Sequence, residues 1–167
     1  MPDTATTESF DRLASRLDWP MLIVTTRDDH DTAGCLVGFW SQSSISPTRV
    51  AVFLSKKNHT FMVAQRATTL AAHVLHDRDF DLARHFGEET DDEVDKFSSI
   101  RWTAGPDNVP VIDGLDWFSG TICDQHDCGD HVAFILEPAP GHGCADRADE
   151  PPLTSSRVQH LSAGHAP

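Results

Sequence analysis

The stretch Phe39-Trp40-Ser41-Gln42-Ser43-Ser44-Ile45-Ser46-Pro47 is where this chain shows its architecture. Two aromatic residues open it, hydroxyls and one amide crowd its middle, and a proline closes it. Apolar runs stand on either side, over residues 33–39 and 49–55. Both are short, rich in aliphatic residues and bounded by turn formers, so both read as strands. The stretch between them, residues 40–46, reads as a polar loop. Hydroxyl and amide side chains in such a loop, with its backbone N–H groups, can hold a phosphate or a carbonyl-rich ring without formal charge. A plain solvated turn has the same composition, and on these residues alone both readings stand.

Working outward, residues 21–26 form a β-branched run that makes a hairpin with 33–39 across the charged turn 27–32. Further strands are predicted over 70–75, 115–124 and 131–138, the last two joined by 125–130. Phe10, Leu13, Ala14 and Leu17 recur at helical spacing. Asn58 can cap a helix over about 59–67, and short helices are predicted over 79–86 and 89–97. A Gly/Pro/Asn-rich loop fills 103–110. Strands and helices do not alternate regularly, so a doubly wound sheet is disfavoured. The expected class is mainly β with peripheral helices (α+β), a closed or split β-barrel. The segment 138–167 holds five of the ten prolines and few large apolar residues. It reads as a flexible tail, or an arm that orders only on a partner, and deletion of residues 145–167 is expected to leave ligand affinity unchanged. The expected division is therefore a helical lead-in over 1–18, a barrel domain over 19–138 and a tail over 139–167.

Composition narrows the function. At 167 residues, with 39% apolar and 23% charged side chains, the chain reads as one soluble domain. No apolar run approaches the ~20 residues of a membrane helix. The N-terminus lacks the basic and apolar regions of a secretory signal, so a cytoplasmic location is expected. Thirteen basic residues stand against 26 acidic ones, a net charge of −13. Such a chain repels phosphate backbones and anionic lipid, which disfavours nucleic-acid and membrane partners. Cys35, Cys123, Cys128 and Cys144 contain no CxxC pair and are expected as free thiols.

Two further segments can carry chemistry. Ser55-Lys56-Lys57-Asn58-His59-Thr60 places two of the three lysines just before a predicted helix start, a plausible anion site. The plainer reading is a capped helix with solvated lysines. In His126-Asp127-Cys128-Gly129-Asp130-His131, the ligand types suit a metal, but no CxxC or HxxxH spacing supports one, and none is assigned. An imidazole at His131, oriented by Asp130 towards a pocket, fits better; a structural histidine is the alternative. Phosphate-loop, zinc-protease and nucleophile-elbow motifs are absent from the sequence.

In order and spacing, these segments resemble the flavin reductase-like domain family, an FMN-binding split β-barrel. The resemblance rests on residues 39–47, on 55–60, on Leu82-Ala83-Arg84-His85-Phe86, on Trp102-Thr103-Ala104-Gly105-Pro106 and on Gly129-Asp130-His131. It implies a homodimer with the flavin near the subunit interface. It implies further that Trp40, Ser41, Gln42, Ser43 and Ser44 serve the cofactor on one side, and Lys57, Asn58 and Thr60 on the other. Phe86 would shape the pocket, and His131 would sit beside the ring and the nicotinamide as the catalytic residue. Gly38-Phe39 stands where the family has Ser-Ser, and Gln42 where Ser is usual, so hydroxyl donors to a phosphate are fewer. The resemblance implies an NAD(P)H-dependent FMN reductase, a candidate reducing partner of a flavin-dependent monooxygenase. FAD and deazaflavin are the other cofactors to consider, and a non-catalytic flavin-binding or electron-transfer protein is the alternative function.

Overall fold

The computed structural model describes residues 4–88, 95–139, 147 and 149–162. After helix α1 (Thr4–Ala14) come β1 (Leu22–Arg27), β2 (Thr32–Val37), β3 (Trp40–Ile45), β4 (Thr48–Ser55), α2 (His59–Ala64), β5 (Thr69–Val74), α3 (Phe80–Glu88), β6 (Trp102–Ala104), β7 (Pro110–Ile112), β8 (Asp116–Asp127), β9 (His131–Pro138) and α4 (Ser155–Val158). Seven strands form one sheet in the order β2-β1-β5-β8-β9-β4-β3, and β6 and β7 form a separate hairpin. Every pairing in the large sheet is antiparallel.

Alternation along the strands builds two cores. On β1, Leu22 and Val24 face one and Ile23 faces the other, the period of two that a pleated strand imposes. The first core gathers Cys35 and Val37 from β2 with Val50, Val52 and Leu54 from β4 and Phe134 from β9. Strands near opposite ends of the sheet thus share one interior, so the sheet curls around it, and Ala64 and Phe61 of α2 pack against it. This is the split-barrel interior. The second core lies on the outer face, where Phe86, Phe97, Ile112 and Leu115 cover Ile23 and Leu75.

The expected hairpin 21–39 and the strands at 49–55, 70–75 and 131–138 are present. Residues 40–46 differ from expectation: they are not a loop but mostly the edge strand β3, paired with β4 at Trp40↔Val52, Ser41↔Ala51 and Gln42↔Val50. An edge strand tolerates polar side chains because one side faces water, while Trp40 anchors the segment on the core and its indole N–H donates to the Pro20 carbonyl at 2.8 Å. The expected loop 103–110 is largely the turn of the β6–β7 hairpin. Asp107 (φ 52°) and Asn108 (φ 58°) turn it, residue types that tolerate the left-handed region. Of the helix expected over 89–97, residues 89–94 lie outside the described residues and 96–99 form a turn. Strand β8 continues to Asp127, into the expected connection. In α1, the apolar residues Phe10 and Leu13 are exposed, as is Leu17 just beyond it.

The C-terminal segment also departs from its composition. Residues 149–162 lie against the barrel: Leu153 is fully buried, its N–H donates to the Leu75 carbonyl (2.9 Å), and its carbonyl accepts from Met21 (2.8 Å). Arg147 pairs with Asp79 at 2.7 Å and Arg78 with Glu150 at 3.0 Å. Few apolar residues suffice here because Leu153, Val158 and Leu161 all join the outer core. Cys35 is buried and Cys123 and Cys128 are exposed, all as free thiols, while Cys144 lies outside the described residues. Among the described residues, no helix is long and apolar enough to cross a membrane.

Candidate active site

Pairing of β4 with β9 joins the two polar segments singled out in the sequence. Ser55 lies opposite His131, and the Lys56 N–H donates to the Asp130 carbonyl at 2.9 Å. The loop entering α2 and the turn entering β9 therefore meet at one end of the sheet. Gly129 (φ +104°) makes that turn, a backbone conformation that a side chain would strain. Lys56 closes over it with a 2.6 Å ion pair to Asp127, whose carboxyl is held below its ordinary range by the Lys56 hydrogen bond.

Beside this junction is a cavity of about 450 Å³. The β2–β3 corner supplies Val37, Gly38 and Phe39, and the end of β4 supplies Phe53, Leu54 and Ser55. Lys57 and Asn58 come from the entry to α2, Asp130 and His131 from the β8–β9 turn, and Ser155 and Val158 from the C-terminal segment. Trp19, Met21, Cys35 and Leu36 complete the walls. The Phe39 ring sits between Trp19 (centroids 6.3 Å apart) and His131 (5.3 Å). Gly38 permits the close approach of Trp19: a Cβ there would stand 3.1 Å from the indole nitrogen.

His131 has an oriented ring. Its Nδ1 is 2.7 Å from Asp130 Oδ1, and hydrogen bonding to His131 holds the Asp130 carboxyl below its ordinary value. An ionised carboxylate only accepts, so Nδ1 carries the hydrogen, and in the neutral ring Nε2 is left as the acceptor. Asn58 caps α2, its Oδ1 accepting from the Thr60 N–H at 3.0 Å. Lys57 supplies the cavity's cationic side chain amid mostly apolar walls.

Of the residues named from the sequence, Lys57, Asn58 and His131 meet at this cavity. Thr60 is buried behind the cap. Phe86 lines a smaller adjoining cavity of about 230 Å³, with Met21, Leu36, Asn58, Gly87, Val158 and Leu161. The side chains of Trp40, Ser41, Gln42, Ser43 and Ser44 do not line either cavity. Ser41, Gln42 and Ser43 are exposed along β3; Ser41 Oγ donates to the Gln42 carbonyl and the Gln42 amide to the Ser44 carbonyl. The physical reason is that the chain turns into the cavity one step earlier, at Gly38-Phe39, and is already paired with β4 by Trp40. Sequence reasoning passed over Phe39, whose aromatic character at the head of the stretch was the available signal. It also passed over Trp19, Ser155 and Val158; Thr154-Ser155-Ser156 before a short apolar step was the signal for a capped turn.

The family described as "Flavin reductase like domain" matches residues 14–161, taking in the C-terminal segment. The reductase subunit HsaB of a flavin-dependent monooxygenase from Rhodococcus jostii is 32% identical over 118 residues, which is 67% of this chain and 57% of that protein. The reductase component of the flavin-dependent trigonelline monooxygenase of Acinetobacter baylyi is 25% identical over 126 residues, 75% of this chain and 40% of that protein. The chain thus spans about half the length of these curated relatives. Among solved structures, the NADH:FAD oxidoreductase of Streptomyces globisporus superposes with a TM-score of 0.79 at 20% identity, covering 99% of this chain and 94% of that one. A curled antiparallel sheet, a pocket at its β4–β9 end and a sequence match over most of the length converge: this chain belongs to the flavin reductase like domain family.

Proposed function

We propose that the chain is an NAD(P)H-dependent flavin reductase, acting as a homodimer in the cytoplasm with FMN as its flavin and supplying reduced flavin to a monooxygenase. The observation that carries this reading is the cavity itself, an apolar slot with Lys57, Asn58 and an oriented His131 at its polar end. The residues suit a flavin. The volume, about 450 Å³, falls in the ordinary range of small-molecule sites, and Phe39, Phe53 and the aliphatic walls match a planar ring. When bound, the flavin supplies the hydride-accepting chemistry. The chain's part is placement. Lys57 offers a cation to a phosphate, the apolar walls keep water from the ring, and His131 Nε2 is free to hydrogen-bond the nicotinamide amide or the polar edge of the flavin. Asp130 fixes the tautomer that makes this possible. Relatives named as monooxygenase reductase components support the partner. The exposed edge Ser41–Ser43 lies outside the cavity of one chain, and in this reading meets a flavin through the second subunit.

The test is a titration of FMN against the purified protein, followed by flavin fluorescence, with NADH and NADPH oxidation measured on the same preparation. Saturable quenching, reductant consumption with added FMN, and a dimer's mass by light scattering are expected. Absence of saturation up to high micromolar FMN would sink the reading.

A further inference from the structure

Met21, Leu36, Asn58 and Val158 border both cavities. Met21, Leu36 and Asn58 belong to the barrel. Val158 is different: it comes from α4, more than a hundred residues from the strands it faces, and stands in the partition between about 450 Å³ and about 230 Å³. A four-residue helix has no stability of its own, so its position is imposed from outside. The N-cap residue Thr154 makes no capping hydrogen bond within the helix. Asp18 does that work from the other end of the chain. Its carboxylate accepts the Ser156 N–H (2.9 Å) and the hydroxyls of Thr154 (2.8 Å), Ser155 (2.9 Å) and Ser156 (2.8 Å). These bonds, the Ser156 backbone N–H first among them, hold the Asp18 carboxyl well below the usual carboxylate range. The next residue, Trp19, is itself a cavity wall, and its carbonyl accepts from Ser155 N–H at 2.9 Å.

We infer that Val158 is a specificity-determining residue of this cavity, setting how deep a ring enters, and that Asp18 is the positioning residue that holds it there. The inference rests on the flavin reading of the cavity. Val158 has no hydrogen-bonding group, so it acts by shape. Added bulk at 158 shortens the slot, and lost bulk opens the slot towards the second cavity and removes packing from a bound ring. Asp18 acts only through the segment it clamps.

The test uses the full chain and four variants: Val158→Trp, Val158→Ala, Asp18→Ala and Asp18→Asn. FMN affinity by fluorescence quenching, binding of anilinonaphthalene sulfonate as a flavin-independent probe of the slot, and the thermal midpoint are read on each. Val158→Trp, read well below its melting range, is expected to weaken FMN on the order of tenfold or more, as shape mismatches in apolar pockets do. Val158→Ala loses several-fold and serves if the tryptophan variant does not fold. Asp18→Ala weakens FMN well below its melting range, and Asp18→Asn, which keeps one acceptor oxygen, does so less. Wild-type FMN affinity in stable Val158 variants, probe binding indifferent to residue 158, or FMN losses that merely track the midpoint overturn the inference. A wild-type protein that binds the naphthalene probe in a Val158-dependent way, but not FMN, upholds the wall and overturns the flavin reading instead.

Discussion

In the proposed reading, His131 is placed to matter to rate more than to stability. Its imidazole is 24% exposed and its partner Asp130 is 88% exposed, so their hydrogen bond is a surface one and adds little to stability. The ring nevertheless stands at the cavity mouth, 5.3 Å from Phe39. Positioning of reactants is sensitive to small displacements, where a misplacement of ~1 Å can cost about 10²-fold. His131→Ala is therefore expected to lower NAD(P)H oxidation by roughly one to two orders of magnitude while FMN still binds and the midpoint holds. Steady-state rate, FMN affinity and melting curve on one preparation check this; normal turnover in the stable variant would remove His131 from the site.

Among the elements, the C-terminal segment rests on Leu153, which is wholly buried, its N–H donating to the Leu75 carbonyl and its carbonyl accepting from the Met21 N–H. Leu153→Ala should destabilise the protein by about 2–5 kcal/mol, the usual cost of emptying a leucine site. At this chain length that lowers the melting midpoint by roughly 5–15 °C, readable by calorimetry. A shift under about 2 °C would mean the segment is not bound as described. This segment also marks where sequence reading ends. Strands β1, β4, β5 and β9 were legible because each is a compact apolar run with turn formers at its ends. Likewise Asn58 before α2 is a local signal, and the cap is there at 3.0 Å. Strand β3 was not legible, since its hydroxyls carry no alternation; its strand character comes from pairing with β4 and from the Trp40 anchor, both tertiary facts. The tail misled for the same reason, because three apolar residues look few until a prepared surface receives them. Of the residues that line the cavity, Lys57, Asn58 and His131 stand out in locally unusual sequence, whereas Val158 does not, being apolar in an unremarkable context.

At the level of the whole molecule, the buried His73 ties three strands together. From β5 its Nδ1 donates to the Ile23 carbonyl on β1 (3.0 Å), and its Nε2 accepts the Ile112 N–H of β7 (3.0 Å). Accepting at Nε2 requires the neutral ring, and burial, outweighing the Ile23 bond, lowers its pKa from 6.5 to about 4. Between those values the unfolded chain binds a proton that the native state refuses. Stability from this residue is thus complete above about 6.5 and is lost as pH falls towards about 4. The loss amounts to about 3 kcal/mol over that window. Denaturant unfolding at a series of pH values checks the slope, and a His73→Gln variant should flatten it. The carboxylates of Asp28, Asp127 and Asp130 are shifted below 3.8, so their contribution falls in a lower range and does not mask it.

The clasp between Asp18 and Ser156 has a consequence for how the protein is born. Its two halves are 138 residues apart. At about 5–20 residues per second, a ribosome delivers the second half on the order of ten seconds after the first. From the completion of β9 at Pro138 until then, the barrel carries an uncovered Leu75–Met21 groove and a cavity with one side missing. A chain that has completed β9 but not the segment 153–158 can curl its sheet, yet it lacks the wall of the pocket that Ser155 and Val158 supply.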